Sequence, residues 1–162
     1  MAVCRARVQL VDAMIPCPCG YLGVELGKCL CSRVRVTSYR SLISGPLLDR
    51  IEVGVEVGRL PQNALRDSGA GGECSATVRQ RVVAARTLAL ERSGICNAGL
   101  EGEQLEVLCA TSDEGLSLLD EAIERFGLSV RAYHRVLRVA RTIADLAGGG
   151  AVGAAHVAEA LS

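Results

Sequence analysis

Two cysteine pairs carry the densest chemistry in this chain. Cys17-Pro18-Cys19 and Cys29-Leu30-Cys31 are Cys-x-Cys pairs separated by nine residues. Four thiolates from two close pairs can hold one Zn2+ tetrahedrally, and such an ion orders a loop that has little core of its own. The commoner zinc spacing is Cys-x-x-Cys, so free thiols and a redox-sensitive loop stand as alternatives. Cys4, Cys74, Cys96 and Cys109 are scattered and read as ordinary small core or surface residues.

Two arginines follow. Arg131 falls in the first turn of a predicted helix, where the macrodipole disfavours a cation. The same helix end attracts phosphate, so an arginine there points to a nearby anion. Arg131, Arg135 and Arg138 share one side of that helix at i, i+4 and i+7. For Arg135 and Arg138 the plain reading is a solvated face, opposite Val130, Tyr133, Leu137, Ala140 and Ala144. His134 reads as packing or a surface hydrogen bond rather than as a catalytic base. Arg50 follows a Gly45-Pro46 turn and stands at the edge of an alternating segment, held out from a rigid element. By spacing alone, Asp49 and Arg50 form a weak surface ion pair.

The elements that position these residues fall into two parts. Val8 to Met14 reads as a short buried strand, and Pro16 to Arg33 as a Cys/Pro/Gly-rich loop. Residues 34–43 form a short helix or an extended lead-in. Ile51 to Val57 alternates apolar residues with Glu52, Gly54 and Glu56, which predicts a strand ended by Pro61. A glycine-rich linker, residues 67–73, separates residues 1–66 from residues 74–162. Beyond it the pattern is helical. Ser75 to Arg92 carries Val78, Val82, Ala85 and Leu88 at helical spacing and stops at Gly94. Leu100 to Cys109 is a short helix. Ser112 caps a helix to Phe126, with Asp113 and Glu114 favourable in its first turn. Ser129 caps a long helix to Ala147, and Ala154 to Leu161 is the last.

Composition narrows the functions available. Hydrophobic residues make up 49% of the 162, enough to bury a core. Aromatics are only 2%, which argues against a stacked-base platform for single-stranded nucleic acid. A formal net charge of zero provides no global field to gather DNA. Lys28 is the single lysine; the arginine bias suits bidentate contacts to carboxylate or phosphate, and GC-rich coding gives the same bias. The sequence shows no signal-peptide pattern, and no uninterrupted apolar stretch approaches the roughly 20 residues of a membrane-spanning helix. The eight cysteines are therefore expected in a reducing cytoplasm, as thiols or metal ligands.

Two long blocks carry a family resemblance. Tyr39-Arg40-Ser41 leads into Ser44-Gly45-Pro46-Leu47-Leu48-Asp49-Arg50-Ile51-Glu52, and Arg131-Ala132-Tyr133-His134-Arg135-Val136-Leu137-Arg138-Val139-Ala140-Arg141 lies near the C-terminus. Together with Pro16-Cys17-Pro18-Cys19-Gly20-Tyr21, they resemble the magnesium-chelatase-like AAA+ ATPases of the ComM/YifB family over nearly the whole chain. The resemblance implies an α/β remnant of an AAA+ core, with its last strands and cysteine-rich loop, followed by an all-α helical lid. It implies that Arg50 is the finger reaching a neighbour's ATP, and that Arg131 is the sensor-2 arginine coupling lid to nucleotide. It also implies ATP and Mg2+ as cofactors of the complete protein, a homo-hexamer of same-family subunits, and ATP-driven DNA branch migration in natural transformation.

Departures from the family pattern bear on activity. A Walker A loop needs glycine-rich backbone amides, a Lys on the phosphates and a Ser/Thr on Mg2+. The only Gly-Lys, Gly27-Lys28, is followed by Cys29, and Leu22 stands where the motif's first glycine belongs. No strand ending in paired acidic residues supplies Walker B. The family carries both motifs upstream of the segment matched here, so this chain alone is not expected to hydrolyse ATP. Ile15 replaces the family's sensor-1 Asn, Leu42 replaces an arginine and Gly54 a histidine. A second reading is therefore a non-enzymatic, zinc-stabilised interaction module or a decayed gene product. A direct DNA-binding module is a weaker third.

Overall fold

Serine and glycine caps set several helix boundaries in the computed structural model, which describes residues 9–23, 27–48, 50–58 and 72–162. The elements are α1 (Arg33–Arg40), α2 (Gly45–Leu48), α3 (Ser75–Ser93), a 3-10 turn (Asn97–Gly99), α4 (Gly102–Leu108), α5 (Asp113–Phe126), α6 (Val130–Leu146) and α7 (Ala154–Leu161). The chain divides into two units, Met1–Pro61 and Gln62–Ser162.

In the first unit, Ser32 Oγ accepts the Arg35 N–H at 3.3 Å and starts α1. Residues 34–43 thus contain a helix, α1, rather than an extended lead-in. At the other end of α1, Arg40 Nε donates to the Pro16 carbonyl at 3.3 Å, tying the helix to the cysteine loop. The expected strands do not form among the described residues. Residues 9–14 and 51–57 are irregular. An alternating segment becomes a strand only when a ladder partner covers one face. Val11 is instead 84% exposed, and Val53, Val55 and Val57 are 63, 78 and 88% exposed. Val8, Asp49, Pro61 and residues 67–71 lie outside the described residues.

Among its described residues, the regular structure of the second unit is helical, with an isolated parallel bridge between Thr111 and Val152. Ser112 Oγ accepts the Gly115 N–H at 3.3 Å to cap α5, and Ser129 Oγ accepts the Ala132 N–H at 3.2 Å to cap α6. Gly94 and Gly127 close α3 and α5 in the left-handed region, at φ +74° and +62°, where a Cβ is disfavoured. The long helix α6 is the centre: α7, α3, the 3-10 turn and α4 all pack on it, and α5 packs on α7. Leu100, Leu105, Leu119, Val152 and Val157 are fully buried between these elements.

Two details of the expected helix faces change. On α3 the buried residues are Ala85 and Ala89, while Val82 is 51% exposed. On α6 the buried stripe runs Val136, Leu137, Ala140, Arg141, Ala144, Asp145, and Val130 is exposed. Arg135 and Arg138 are half-buried rather than on a solvated face, because their aliphatic stems can lie along the protein surface. No helix among the described residues is long and apolar enough to cross a membrane.

Candidate functional site

The cysteine loop is built on a turn. Gly20 N–H donates to the Cys17 carbonyl at 3.0 Å, with Gly20 at φ +75°. This brings Cys17 Sγ and Cys19 Sγ to 3.3 Å. Cys29 Sγ lies 3.7 Å from Cys17 Sγ and 3.6 Å from Cys19 Sγ. With Cys31 added, the four sulfurs all lie within 4.8 Å of one another. Burial opposes ionisation of Cys17, but hydrogen bonds from Cys19 and from the Leu22 and Cys19 backbone outweigh it and lower its thiol to about 6. For Cys29, a backbone hydrogen bond to Cys31 acts downward, yet burial and the neighbouring sulfurs push the thiol up to about 11. Four sulfurs this close cannot all carry charge without a cation between them. Among the other cysteines, Cys109 is a buried core residue, Cys74 is exposed and Cys96 is half-buried; Cys4 lies outside the described residues.

Arg50 sits just after α2, not at the edge of a strand. Its Nη1 donates to the Pro46 carbonyl at 2.7 Å, closing the Gly-Pro turn from the outside. Residue Asp49, its expected ion-pair partner, lies outside the described residues. Ile15, expected to stand in place of a hydrogen-bonding Asn, is 52% exposed.

Arg131 stands in the first turn of α6, exposed, with no acidic residue in that turn. It lines a groove with Arg138, His134, Glu101, Gly102, Leu105 and Val130. The rings of His134 and Tyr133 meet at a tilt, 5.8 Å apart and 57° between planes, so this imidazole has an aromatic packing partner. The groove joins two arginines of the predicted stripe at a helix N-terminus, an arrangement suited to an anion. It contains no glycine-rich phosphate cradle and no paired carboxylates for Mg2+.

One constellation escaped the sequence reading. Asp145, fully buried on α6, accepts from Arg92 Nη1 at 2.7 Å and Nη2 at 2.6 Å, from Arg141 Nη2 at 2.9 Å and from Asn97 Nδ2 at 2.8 Å. Arg92 Nη2 also donates to Asn97 Oδ1 at 3.1 Å, and Arg141 Nη1 to the Gly150 carbonyl at 2.7 Å. This network staples α3, the 3-10 turn and the segment after α6 to the central helix. The Arg141/Asp145 spacing of i, i+4 on an apolar face was the signal for half of it.

Comparison with known proteins gives the chain its context. The family described as magnesium chelatase, subunit ChlI C-terminal, matches residues 72–162, and magnesium chelatase, subunit ChlI, matches residues 2–65. Competence protein ComM of Haemophilus influenzae is 44% identical over 157 residues, covering 96% of this chain and 30% of that protein. The YifB proteins of Escherichia coli and Salmonella typhimurium are 37% and 36% identical, each covering 97% of this chain and 31% of the relative. The chain thus spans about three tenths of the length of the curated relatives it matches. It belongs to the magnesium chelatase subunit ChlI family, among relatives named ComM and YifB.

Proposed function

We propose that this chain works as the C-terminal segment of a ComM-like AAA+ motor, giving it the helical lid with its sensor-2 arginine, Arg131, and the finger arginine, Arg50. Residues 1–66 are the end of the AAA+ core, residues 67–73 the linker and residues 74–162 the lid. The observation that carries this reading is the groove at the start of α6, where Arg131 and Arg138 line one wall together. A guanidinium there senses a phosphate; one at Arg50, delivered to a neighbouring subunit, neutralises charge on the transferring phosphoryl group and contributes on the order of a thousandfold or more in rate. Walker A and B residues come from elsewhere in the motor, so ATP and Mg2+ bind to the complete, cytoplasmic, hexameric protein. DNA is its substrate, acted on by branch migration during transformation.

The test is complementation in trans. A same-family subunit that carries both Walker motifs but lacks its own finger arginine is mixed with this chain, and ATP hydrolysis is followed. Stimulation that is lost with Arg50→Ala supports the reading; equal stimulation by wild type and Arg50→Ala overturns the role of Arg50.

A second reading rests on Ile15. An exposed isoleucine cannot orient an attacking water as the family's Asn does, and this favours a non-enzymatic interaction module. A reading frame upstream of this chain's gene that encodes Gly-x-x-x-x-Gly-Lys-Ser/Thr separates the two: its presence supports the motor, its absence the module.

A further inference from the structure

The described residues of the first unit bury almost no apolar surface. Among its described residues only Cys17 is buried, while Leu30, Val34, Leu42 and Val57 are at least 79% exposed. Its described segments do converge at the four-cysteine cluster. Tetrahedral Zn–S bonds of about 2.3 Å set sulfurs about 3.8 Å apart. The observed separations of 3.3, 3.6 and 3.7 Å, with none of the four beyond 4.8 Å, match that spacing within a small adjustment. They are well beyond the roughly 2.05 Å of a disulfide bond.

We propose that Cys17, Cys19, Cys29 and Cys31 bind one structural Zn2+ that serves as the core of this unit. Each thiol gives up its proton as its sulfur bonds the ion, so binding releases protons and involves no electron transfer. Four protein ligands leave no open position for water or substrate, which makes the ion structural rather than hydrolytic. Its place in the fold says what it orders. Cys31 immediately precedes Ser32, the cap of α1, and the far end of α1 returns to the loop through Arg40 and the Pro16 carbonyl. The ion therefore fixes the start of α1 to the same loop that the far end of α1 contacts. This proposal does not depend on the nucleotide reading of Arg50 and Arg131.

The experiment uses the whole chain, purified under reducing conditions and loaded with Zn2+ or Co2+. One zinc per chain by native mass spectrometry and elemental analysis is expected, together with a thiolate-to-cobalt charge-transfer band and the d–d bands of a tetrahedral site. Cys29→Ser should lose the stoichiometric ion, and Cys74→Ser should keep it. Chelation should remove the circular-dichroism signal of α1 and expose residues 16–40 to protease, while residues 72–162 stay protected because their core contains none of the four ligands. A chain that takes up no metal, a cobalt spectrum without tetrahedral thiolate bands, iron in place of zinc, or zinc retained in full by Cys29→Ser overturns the proposal. The cobalt spectrum of the wild-type chain decides the matter even if Cys29→Ser fails to fold.

Discussion

Arg92 and Asp145, 53 residues apart in the chain, meet in a two-pronged ion pair, guanidinium Nη1 to Oδ1 at 2.7 Å and Nη2 to Oδ2 at 2.6 Å. The Asp145 side chain is fully buried and that of Arg92 is 22% exposed. Arg141, 4% exposed, adds a second guanidinium at 2.9 Å on the same helix. One carboxylate thus pairs with two cations inside the helical unit, and the bidentate geometry of the Arg92 pair gives it direction as well as strength.

Removing the carboxylate should therefore cost more than removing one cation. Asp145→Ala strands two arginines in a water-poor site and is expected to lose about 3–5 kcal/mol. Arg92→Ala leaves Arg141 and Asn97 to satisfy the carboxylate and should lose less. Urea unfolding followed by circular dichroism checks the order, and a double-mutant cycle isolates the coupling between Arg92 and Asp145. Equal losses for the two single variants would show that Arg141 contributes nothing to balancing Asp145.

The same site sets an acid limit. Burial acts to raise the Asp145 carboxyl, but the hydrogen bonds from Arg92 and Asn97 and the charges of Arg141 and Arg92 outweigh it and hold it below its ordinary value. A folded-state value below the unfolded one means that the stabilisation is present above the unfolded carboxylate range, near about 4. It is lost as pH falls through the folded value. Stability of the helical unit should fall in that acid window, and the part due to Asp145 should vanish in Asp145→Asn. A pH titration of the unfolding midpoint in both proteins measures it.

The helical half of this fold was legible because its signals are local. Ser112, Ser129, Gly94 and Gly127 announce helix ends through their own backbone and hydroxyl chemistry, and all four sit at the ends so expected. The strands failed for the opposite reason: alternation at Ile51 to Val57 states a preference, and only a partner across a ladder turns it into a strand. The cysteine cluster was legible as two pairs, since spacing alone brought Cys17, Cys19, Cys29 and Cys31 under suspicion. The Arg92–Asn97–Asp145 network was not, because three of its groups come from separate elements and only the packing of α3 and the 3-10 turn on α6 brings them within reach. Val82 and Val130 show a related limit, since a helical period identifies a stripe but not which edge of it the neighbours cover.

Core truncation should separate these edges from the centre. Leu119 is fully buried in the cluster with Val152 and Val157, so Leu119→Ala is expected to lose about 2–5 kcal/mol through lost transfer energy and a residual cavity. Val130 is 72% exposed, and Val130→Ala should stay within about 0.5 kcal/mol of wild type. Thermal or urea unfolding of both variants ranks them; a Val130→Ala loss comparable to that of Leu119→Ala would show that the start of α6 is covered in solution.

Gly115 gives the prediction that propensity and packing answer with opposite signs. It is buried in the first turn of α5, where replacing glycine by alanine in a helix ordinarily gains about 1 kcal/mol. A Cβ at this position, however, collides with Thr111 Oγ1 and lies only 3.0 Å from Thr111 Cγ2. Thr111 cannot rotate away without cost, because its hydroxyl donates to the Val152 carbonyl at 3.0 Å beside the bridge that joins the start of α5 to the lead-in of α7. Gly115→Ala should therefore destabilise the helical unit by about 1–3 kcal/mol, as overpacking does. Thr111→Ala opens the space at the expense of that hydrogen bond, so adding Gly115→Ala to it should be neutral or stabilising. Urea midpoints for the two single variants and the double variant read out the sign change; a Gly115→Ala protein more stable than wild type would mean that the contact between α5 and Thr111 relaxes freely.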